Sequence, residues 1–398
     1  MKKLEDFEIN NKNIILRVDL NVPIINGSIT DYSRIETIIP TINKLTKSKN
    51  KVFILTHLGR PNGNIVNELS LKFLCRELQI KLGISKVHFI DSINNQEINN
   101  KKYEMNEGEV CLLENVRFYN QEEKNDVEFS KQLSSHFDYY INDAFSVSHR
   151  AHASIVGLPK FLPSLAGLSF IKEIVNLENF LSVSKKPNLA IIGGSKISTK
   201  IKVILNLINL FDSIVIGGAM ANTFLLAKKI NIGNSIYEEN FLDVAENILI
   251  NAKKKNCKII LPIDAVCSND LKDNPKIIKC NIDNVPNNKM IFDIGENSIN
   301  LISQEIKRSN SVLWNGPLGA FEYKPFDKSS IEIANLIKKS FNQNNLKSLA
   351  GGGDTLSVIK LATAKDGFNY LSNAGGAFLE WLEGNKSPGY IALENNKL

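Results

Sequence analysis

Arginine is rare in this chain and is concentrated near its start. The sequence has seven arginines against 41 lysines. Six of the seven precede residue 151: Arg17, Arg34, Arg60, Arg76, Arg117 and Arg150. A planar guanidinium group can hold two carboxylate or phosphate oxygens at once, which an ammonium group cannot do. The first part of the chain therefore predicts a site for a small, multiply charged anion.

Clusters of glycine distinguish the second part of the chain. Four apolar runs end in adjacent glycines and are followed by a helix-like pattern: Gly193-Gly194, Gly217-Gly218, Gly351-Gly352-Gly353 and Gly375-Gly376. Such turns can present backbone N–H groups to phosphate at the start of a helix. Neither GxxxxGK[ST] nor GxGxxG occurs in the sequence. The pattern predicts a nucleotide site of a different kind from Walker-type and dinucleotide-binding sites.

Short β-branched runs alternate with longer segments of helical periodicity. The predicted strands fall into a first series at residues 14–18, 52–55, 110–113 and 139–141, and a second at 189–192, 213–216, 259–261, 312–314, 348–349 and 370–371. This alternation predicts two parallel sheets with helices on both faces and ligands at the carboxyl ends of the strands. At 398 residues, the chain should form two domains. Helical spacing over 170–181, ended by Lys185-Lys186-Pro187, predicts the helix that joins them.

Four polar motifs in the first part begin at or just after predicted strands, at residues 17–23, 57–61, 114–118 and 143–152. Because parallel strands end at one sheet edge, we expect an anion site formed by Arg34, Arg60, Arg117 and Arg150. Arg17 lies inside its strand and is expected to hold a structural carboxylate. Asp19 and Asn21 alternate on one face; they contact either a substrate or the turn itself.

The glycine turns of the second part carry charged neighbours. Lys196 and Lys200 are four residues apart, so we expect them to share a helix face near its amino end. Positive charge is unfavourable there unless an anion such as polyphosphate is bound, and two solvated lysines are the alternative. After the glycine triplet, Asp354 can cap a helix or bind Mg²⁺, and Thr355 offers a hydroxyl group to phosphate or metal.

Composition excludes several other classes of function. The net charge of +6 comes from 48 basic and 42 acidic side chains spread along the chain, so no nucleic-acid partner is expected. There is no apolar run long enough for a membrane span and no apolar stretch near the amino terminus typical of a signal peptide. The five cysteines show no CxxC pair or zinc-type spacing. We therefore expect a cytoplasmic protein.

The motifs in their order resemble those of the phosphoglycerate kinases along essentially the whole chain: RVDxNVP (17–23), ITDxxRI (29–35), HLGRP (57–61), ENVRF (114–118), DAF and HRAHAS (143–154), IGGxK (192–196), GGAMAxTF (217–224), WNGPxGxFE (314–322) and GGGDT (351–355). The resemblance implies two Rossmann-like α/β domains with parallel sheets, joined by a helix and separated by a cleft. It further implies a monomer that closes about a hinge and transfers phosphate reversibly from 1,3-bisphosphoglycerate to ADP in glycolysis, with Mg²⁺. The expected domains are 1–170 for 3-phosphoglycerate, an interdomain helix 171–184, 185–372 for nucleotide, and a segment 373–398 that returns to the first domain.

Matching motif by motif, the resemblance also implies the roles of individual residues. Those implied to bind 3-phosphoglycerate are Asp19, Asn21, Arg34, His57, Leu58, Gly59, Arg60, Arg117 and Arg150. Those implied to bind ATP or ADP are Gly194, Lys200, Gly217, Gly218, Pro317, Ala320, Glu322, Gly352, Gly353, Asp354 and Thr355, with Asp354 as the Mg²⁺ ligand. The implied catalytic residues are Arg34, Lys196 and Lys200. The reacting carboxylate, with a pKa near ~4, needs no general base.

The chain departs from the family pattern at Ser146, Ser195, Thr199, Glu296 and Ala374. Ala374 replaces a glycine, and alanine tolerates positive φ poorly, so the local backbone is expected to differ there. Two other classes remain. A non-catalytic binding protein on this scaffold would be expected to have lost Lys200 or Asp354, and a dinucleotide oxidoreductase would carry GxGxxG and would leave the arginines unexplained.

Overall fold

The computed structural model describes residues 1–183 and 185–397. The chain divides into two compact units, one formed by Met1–Val175 and the segment that begins at Lys386, the other by Asn176–Asn385. The division therefore falls inside a helix, and residues 373–385 group with the second unit. Ser184 and Leu398, where the expected interdomain helix and carboxyl-terminal segment end, lie outside the described residues.

The first unit contains a six-stranded sheet and a short hairpin. Its strands are β1 (Asn13–Arg17), β2 (Ile24–Ile25), β3 (Ser28–Ile29), β4 (Lys51–Leu55), β5 (His88–Ile90), β6 (Val110–Leu113), β7 (Tyr139–Asn142) and β8 (Ser164–Ala166). Its helices are α1 (Ser33–Lys47), α2 (Leu74–Leu82), α3 (Asn95–Glu104), α4 (Asn120–Glu123), α5 (Val127–Ser134), the start of α6 (Leu168–Val183), and α14 (Pro388–Glu394). The sheet order is β5-β6-β4-β1-β7-β8, and all neighbours are parallel.

The strands that carry the polar motifs of the first unit are consecutive in this sheet. These strands are β6, β4, β1 and β7, and their apolar residues are almost fully buried, as expected of parallel strands covered on both faces. The four motifs therefore follow neighbouring strands at one edge of the sheet. This arrangement confirms the parallel α/β layout predicted for the first part of the chain.

The second unit contains a larger set of elements. Its strands are β9 (Asn188–Ile192), β10 (Ser213–Ile216), β11 (Lys258–Ile260), β12 (Asp264–Ser268), β13 (Ile278–Asn281), β14 (Met290–Ile294), β15 (Ser311–Asn315), β16 (Lys347–Gly351) and β17 (Tyr370–Ser372). After the end of α6, its helices are α7 (Ile201–Leu207), α8 (Met220–Ala227), α9 (Leu242–Lys254), α10 (Glu296–Arg308), α11 (Lys328–Asn344), α12 (Gly353–Leu361) and α13 (Gly376–Leu382).

The main sheet of the second unit is parallel, with the order β11-β10-β9-β15-β16-β17. Numbered along the chain, this is the 3-2-1-4-5-6 order of a doubly wound nucleotide-binding fold, with its switch point between β9 and β15. A separate antiparallel sheet, β13-β12-β14, was not predicted from the sequence. Ligands of such folds bind beside the switch point, where the turns after β9 and β15 lie.

Helix α10 shows how the local sequence specifies these elements. Ile299, Ile302 and Ile306 are buried at helical spacing and pack against the main sheet. Glu296 lies in the first turn, whereas Lys307 and Arg308 lie in the last, so all three charges match the helix dipole. Glu296, one of the departures from the family pattern, also pairs with Lys279 and Lys328. The departure thus fits the start of a helix.

Asn396 fixes the chain end to the first unit. Its side-chain Nδ2 donates to the carbonyl oxygens of Pro159 (2.6 Å) and Leu162 (2.9 Å), and its Oδ1 accepts from the Ser164 backbone N–H (3.1 Å). We expect Asn396→Ala to lower the free energy of unfolding by about 2–4 kcal/mol, because buried groups lose their partners. Urea denaturation measures this, with the same substitution at exposed Asn395 as the control. Equal stability of the two variants would contradict the assignment.

Candidate active site

Four arginine charges converge on His57 at the edge of the first sheet. The imidazole is 2% exposed. Burial first, and then the charges of Arg17, Arg117, Arg34 and Arg150, hold the pKa of His57 well below its usual value. Each arginine must lie close to this side chain to act on it. The structure thus brings together three of the four arginines predicted to share an anion site.

The loop after β4 carries the fourth, Arg60, on its exposed side. Gly59 in this loop has a φ of +63°, and a Cβ atom there would lie 2.9 Å from the Leu69 side chain. The position therefore requires glycine. The Gly59 N–H donates to Asn21 Oδ1 at 2.9 Å, so Asn21 helps to shape this loop.

Asp19 organises the other side of the site. Its Oδ2 accepts hydrogen bonds from the Arg34 guanidinium group and the Ser146 hydroxyl group, and its Oδ1 accepts from the Asn21 N–H at 3.0 Å. Ser146 stands where the family pattern has glycine, and its hydroxyl group gives Asp19 an additional donor. Asp19 is thus held in place and in turn positions Arg34.

Arg117 carries positive charge that the protein only partly balances. It is 3% exposed, and its NH1 donates to the Gly59 carbonyl oxygen at 2.7 Å. Its Nε lies 3.6 Å from Glu123 Oε1 and is without a hydrogen bond among the described residues. Burial, and then the charges of Arg150 and Arg17, lower the pKa of Arg117 to about 10. A bound anion would relieve this repulsion.

Glycine turns interlock at the switch point of the second sheet. Gly316, with a φ of +97°, approaches Gly193 so closely that a Cβ atom would lie 2.2 Å from the Gly193 carbonyl oxygen. Gly218, with a φ of +67°, meets Gly194 in the same way, at 2.5 Å. The turns after β9, β10 and β15 therefore pack backbone against backbone, which side chains would prevent.

Lys200 lies beside these turns. Its Nζ donates to Asn315 Oδ1, at the end of β15, and its Cε would be 3.8 Å from a Cβ atom on Gly194. Burial lowers the pKa of Lys200 to about 8, against the opposing charge of Asp354. Asn315 was not predicted from the sequence as a site residue. Its position at the end of a buried strand, within the WNGP motif, could have indicated such a role.

The expectation that Lys196 and Lys200 share a helix face is wrong. Helix α7 begins only at Ile201, after a 3₁₀ turn at Ile197–Thr199, and Lys196 precedes that turn. Glu238 fixes the turn by accepting from the Ser198 N–H (2.9 Å) and hydroxyl group (2.6 Å). Lys196 is exposed and its charge acts on Glu238, so the two lysines have different surroundings.

A cavity of about 450 Å³ opens beside the glycine turns. Its apolar wall includes Ile236, Leu271, Ile282, Met290, Ile291 and Phe292, partly from the antiparallel sheet. The predicted nucleotide-binding residues that line it are Gly194, Gly218, Pro317, Ala320, Glu322 and Asp354. Its size and apolar lining suit a nucleoside.

The remaining predicted nucleotide-binding residues do not line this cavity. Gly217 lies under Leu318, which a Cβ atom would meet at 2.2 Å. Gly352 and Gly353 begin α12, where Gly352 has a φ of +98°. Thr355 is fully buried, and its Oγ1 accepts from the Gly316 N–H at 2.7 Å. This hydroxyl group therefore ties α12 to the turn after β15.

In the turn after β17, Ala374 does not adopt the positive φ that alanine tolerates poorly. The positive φ falls on Gly375, at +52°, and Ala374 is buried with its N–H donating to Ser372 Oγ at 3.2 Å. Because Ala374 itself avoids positive φ, the departure from glycine is compatible with this turn. Helix α13 then begins at Gly376.

A cluster of arginines beside one parallel sheet and a nucleoside-sized cavity at the switch point of another are the features expected of an α/β phosphotransferase. The comparisons with known proteins identify the family. The phosphoglycerate kinase family model matches residues 4–385. The chain belongs to the phosphoglycerate kinase family.

The chain aligns with individual phosphoglycerate kinases over nearly their whole lengths. The chain is 43% identical over 394 residues to the phosphoglycerate kinase of Chelativorans sp. (strain BNC1), covering 99% of each chain. Over 393 residues it is 43% identical to that of Brucella abortus, again covering 99% of each. The solved phosphoglycerate kinase structures from Coxiella burnetii and Pyrococcus horikoshii give TM-scores of 0.89 and 0.84, at 36% and 29% identity. Each covers 99% of this chain, and 99% and 98% respectively of the solved chain is matched. The predicted family, fold class and phosphoglycerate kinase activity are confirmed.

Proposed function

We propose that the first unit binds 3-phosphoglycerate or 1,3-bisphosphoglycerate, that the second binds ATP or ADP, and that phosphate passes reversibly between them. The observation that carries this assignment is the convergence of four arginine charges on the buried, neutral His57. Such a concentration of positive charge suits a substrate that carries both a phosphate and a carboxylate.

The residues that hold the glycerate substrate are proposed to be Asp19, Asn21, Arg34, His57, Leu58, Gly59, Arg60, Arg117 and Arg150. Arg34, Arg117 and Arg150 supply the charge, and Asp19 fixes the orientation of Arg34. Arg60, on the exposed side of its loop, would reach the substrate as a mobile long side chain. Leu58 and Gly59 shape the loop, as the buried Leu58 and the positive φ of Gly59 favour.

The nucleotide site is proposed to combine the cavity with the turns around it. Gly194, Gly217, Gly218, Pro317 and Ala320 would enclose the nucleoside, and Glu322 would accept hydrogen bonds from the ribose. Gly352, Gly353 and Thr355 would place the start of α12 against the phosphates. This proposal is supported by the lining of the cavity and by the close packing of the glycine turns.

Phosphoryl transfer requires mainly that the two substrates are aligned and that the charge on the transferring group is neutralised. In the ATP-consuming direction, a carboxylate oxygen of 3-phosphoglycerate attacks the γ-phosphorus, the new O–P bond forms, and the bond to the ADP oxygen breaks. The carboxylate is ionised at neutral pH, so a general base is not needed. Arg34, Lys196 and Lys200 are proposed to neutralise the charge of the transferring phosphoryl group while the attacking and leaving oxygens are held in line with its phosphorus atom.

Mg²⁺ fits the nucleotide site as a partner of the phosphates rather than of a protein cage. Across residues 1–183 and 185–397, no three His, Cys, Asp or Glu side chains are grouped to hold a metal ion. Mg²⁺ commonly uses one or two carboxylates together with substrate phosphates. Asp354, exposed in the first turn of α12, is the proposed carboxylate. When bound with nucleotide, Mg²⁺ would neutralise part of the phosphate charge.

We propose a cytoplasmic location from the glycolytic role of the family, and a monomeric state from the resemblance to its members. Among the described helices, none has both the length and the apolar character required to cross a bilayer. Light scattering on the purified protein would test the monomer directly.

A direct assay tests the proposed function. The purified protein is incubated with 3-phosphoglycerate, ATP and Mg²⁺, and formation of ADP and of the acyl phosphate is followed. We expect activity that stops when EDTA is added and returns with excess Mg²⁺. The matched control replaces 3-phosphoglycerate with glycerate, which lacks the phosphate group. Equal turnover with both acceptors, or none with either, would contradict the proposal.

The pKa of Lys200 predicts a pH dependence. Burial lowers this pKa from 10.5 to about 8, so Lys200 is charged below that pH and loses its proton as the pH rises through it. We therefore expect kcat/KM for ATP to fall above pH 8, because kcat/KM reports the free enzyme. In Lys200→Arg the cation stays charged, and this decline should disappear from the profile even if the rate is lower. A decline that persists unchanged in Lys200→Arg would assign it to another group.

A further inference from the structure

A buried chain of hydrogen bonds leads from the interior to His57. Glu122, on α4, is fully buried and accepts two hydrogen bonds from Ser154, from its N–H (2.8 Å) and its hydroxyl group (2.5 Å). Ser154 Oγ accepts from Arg17 Nε at 2.8 Å. Arg17 NH2 lies 3.3 Å from His57 Nδ1. Glu122, Ser154 and Arg17 are at most 1% exposed, so none of them offers a surface to a substrate.

The last contact of the chain fixes the tautomer of His57. A guanidinium group can only donate hydrogen bonds, so the His57 Nδ1 that faces it must be the acceptor. The proton of a neutral imidazole then resides on Nε2. The arginine charges and burial keep the pKa of His57 well below its usual value, which favours the neutral ring at physiological pH.

We propose that Glu122, Ser154 and Arg17 are positioning residues that hold His57 as the neutral, Nε2-protonated imidazole. This inference rests on the proposed function, because it gives His57 a defined task in the glycerate site. His57 contributes a directed hydrogen-bond donor, and Arg34, Arg117 and Arg150 contribute the charge. Arg17, the arginine expected to hold a structural carboxylate, does so through Ser154, and Glu122 is that carboxylate.

The order of the hydrogen bonds explains why each residue is needed. Glu122 offsets the charge of Arg17, whose pKa burial lowers while Glu122 raises it. Ser154 accepts from Arg17 and donates to Glu122 with the same hydroxyl group, so it sets the direction of both contacts. The Arg17 NH1 group donates to the Val18 carbonyl oxygen, which leaves NH2 to face His57. Without Ser154 the guanidinium group would lose one of its two anchors.

His149 provides an internal reference with the opposite tautomer. The Arg150 Nε donates to His149 Nε2 at 3.3 Å, so His149 Nε2 is the acceptor and Nδ1 carries the proton. Burial, and then the Arg150 charge, also lower the pKa of His149. The same protein should therefore contain one imidazole of each tautomer, each set by a neighbouring arginine.

Nitrogen NMR of the free, full-length protein tests the tautomers. With ¹⁵N-labelled histidine, long-range ¹H–¹⁵N correlations distinguish Nε2–H, Nδ1–H and imidazolium rings, and the chain has only five histidines. Single His→Gln variants assign the signals. We expect Nε2–H for His57 and Nδ1–H for His149 at neutral pH. Nδ1–H or imidazolium at His57 would overturn the proposal.

A matched pair of serine variants tests the role of the buried hydrogen bonds. Ser154 and Ser164 are both 1% exposed, but the Ser164 hydroxyl group donates only to the Leu162 carbonyl oxygen, at 2.8 Å. Loss of one directed contact corresponds to roughly a three- to tenfold change. We expect Ser154→Ala to weaken binding of the glycerate substrate by about that factor in both Kd and KM, to leave the KM for ATP within about twofold, and to mix the His57 tautomers. Ser164→Ala should change none of these, and Ser154→Thr, which keeps the hydroxyl group, should restore them.

The serine variants test the tautomer proposal, and a substrate titration tests the glycerate site. An unchanged His57 signal and Kd in folded Ser154→Ala, or equal effects in the two alanine variants, would overturn the proposal. If Ser154→Ala does not fold, the same measurements on Glu122→Gln decide, with an unchanged tautomer again overturning it. Titration of the unaltered protein with 3-phosphoglycerate tests the proposed function independently. If the His57 signal does not move, the glycerate site is misplaced, even if the tautomer is as expected.

Discussion

Replacing Lys200 with alanine should lower turnover by about 10³-fold or more while the affinity for 3-phosphoglycerate stays within about twofold. Lys200 lies in the second unit, beside the glycine turns, with its Nζ on Asn315 and Asp354 close enough to influence it. Under the proposed function, its charge acts on the nucleotide phosphates. A charge that stabilises the transferring group acts mainly in the transition state, so kcat falls and glycerate binding does not.

The matched control for the loss of turnover in Lys200→Ala is Lys202→Ala. Lys202 is exposed in the same helix, α7, so the substitution removes one positive charge without touching the site. Calorimetric titration gives the affinity for 3-phosphoglycerate, and initial rates at saturating substrates give kcat. If Lys200→Ala kept more than about a tenth of normal turnover, or if Lys202→Ala were equally impaired, the assignment of Lys200 would be wrong.

Most strands of the parallel sheets were predictable because they are nearly continuous apolar runs, but the short strands β5 (His88–Ile90) and β8 (Ser164–Ala166) were missed. Each predicted strand overlaps an observed one, from β1 (Asn13–Arg17) to β17 (Tyr370–Ser372). The convergence of Arg117 and Arg150 followed from one rule, that parallel strands end at a common edge. Arg34 instead lies in the first turn of α1, where it contacts Asp19. The family resemblance supplied the roles, which spacing alone left open.

Strands β12 and β13 of the antiparallel sheet, which were also missed, carry a weaker apolar signal. In β13, Ile278–Asn281, exposed and half-buried residues alternate, and two of its four residues are polar. Strand β12 starts at Asp264, whose carboxylate accepts from the N–H groups of Asn297 and Ser298 at the start of α10. Such a strand is held by contacts with distant segments, and a local apolar pattern cannot reveal them.

The surroundings of Lys196 also could not be predicted from the local sequence pattern. A spacing of four residues predicts a shared helix face only if the helix already exists. Here Glu238, 40 residues further along the chain from Ser198, fixes a 3₁₀ turn that delays α7 until Ile201. Long-range pairing therefore decided the local structure.

Buried polar residues were the least predictable part of the site. Glu122 lies in a polar stretch, residues 120–126, whose composition is typical of an exposed segment, yet it is fully buried and accepts hydrogen bonds from Ser154. Asp293, whose pKa burial raises to about 8, lies in the cavity wall and accepts from Ser329. Their positions depend on which loops meet in three dimensions, and hydrophobic periodicity carries no information about that.

Replacing Arg34 with lysine should lower kcat/KM for 3-phosphoglycerate by about 10- to 150-fold, which corresponds to about 1.5–3 kcal/mol. The substitution keeps the positive charge but removes the planar fork. Arg34 donates to Asp19, which Ser146 and Asn21 also hold, so the guanidinium group has a fixed orientation that lysine cannot reproduce. A lysine ammonium group lacks the planar arrangement of donors that lets one guanidinium group contact Asp19 and the substrate in a fixed orientation.

The matched control for Arg34→Lys is Arg308→Lys. Arg308 is exposed, and its NH1 lies 3.7 Å from Glu305, so the same change of side chain tests the surface alone. We expect normal kinetics from Arg308→Lys, and thermal unfolding near that of the unaltered protein for both variants. The KM for ATP should stay within about twofold in Arg34→Lys, because the proposed nucleotide-binding residues belong to the second unit. If the two variants gave the same kcat/KM for 3-phosphoglycerate, Arg34 would be an ordinary surface charge, and the proposed anion site would depend on Arg60, Arg117 and Arg150.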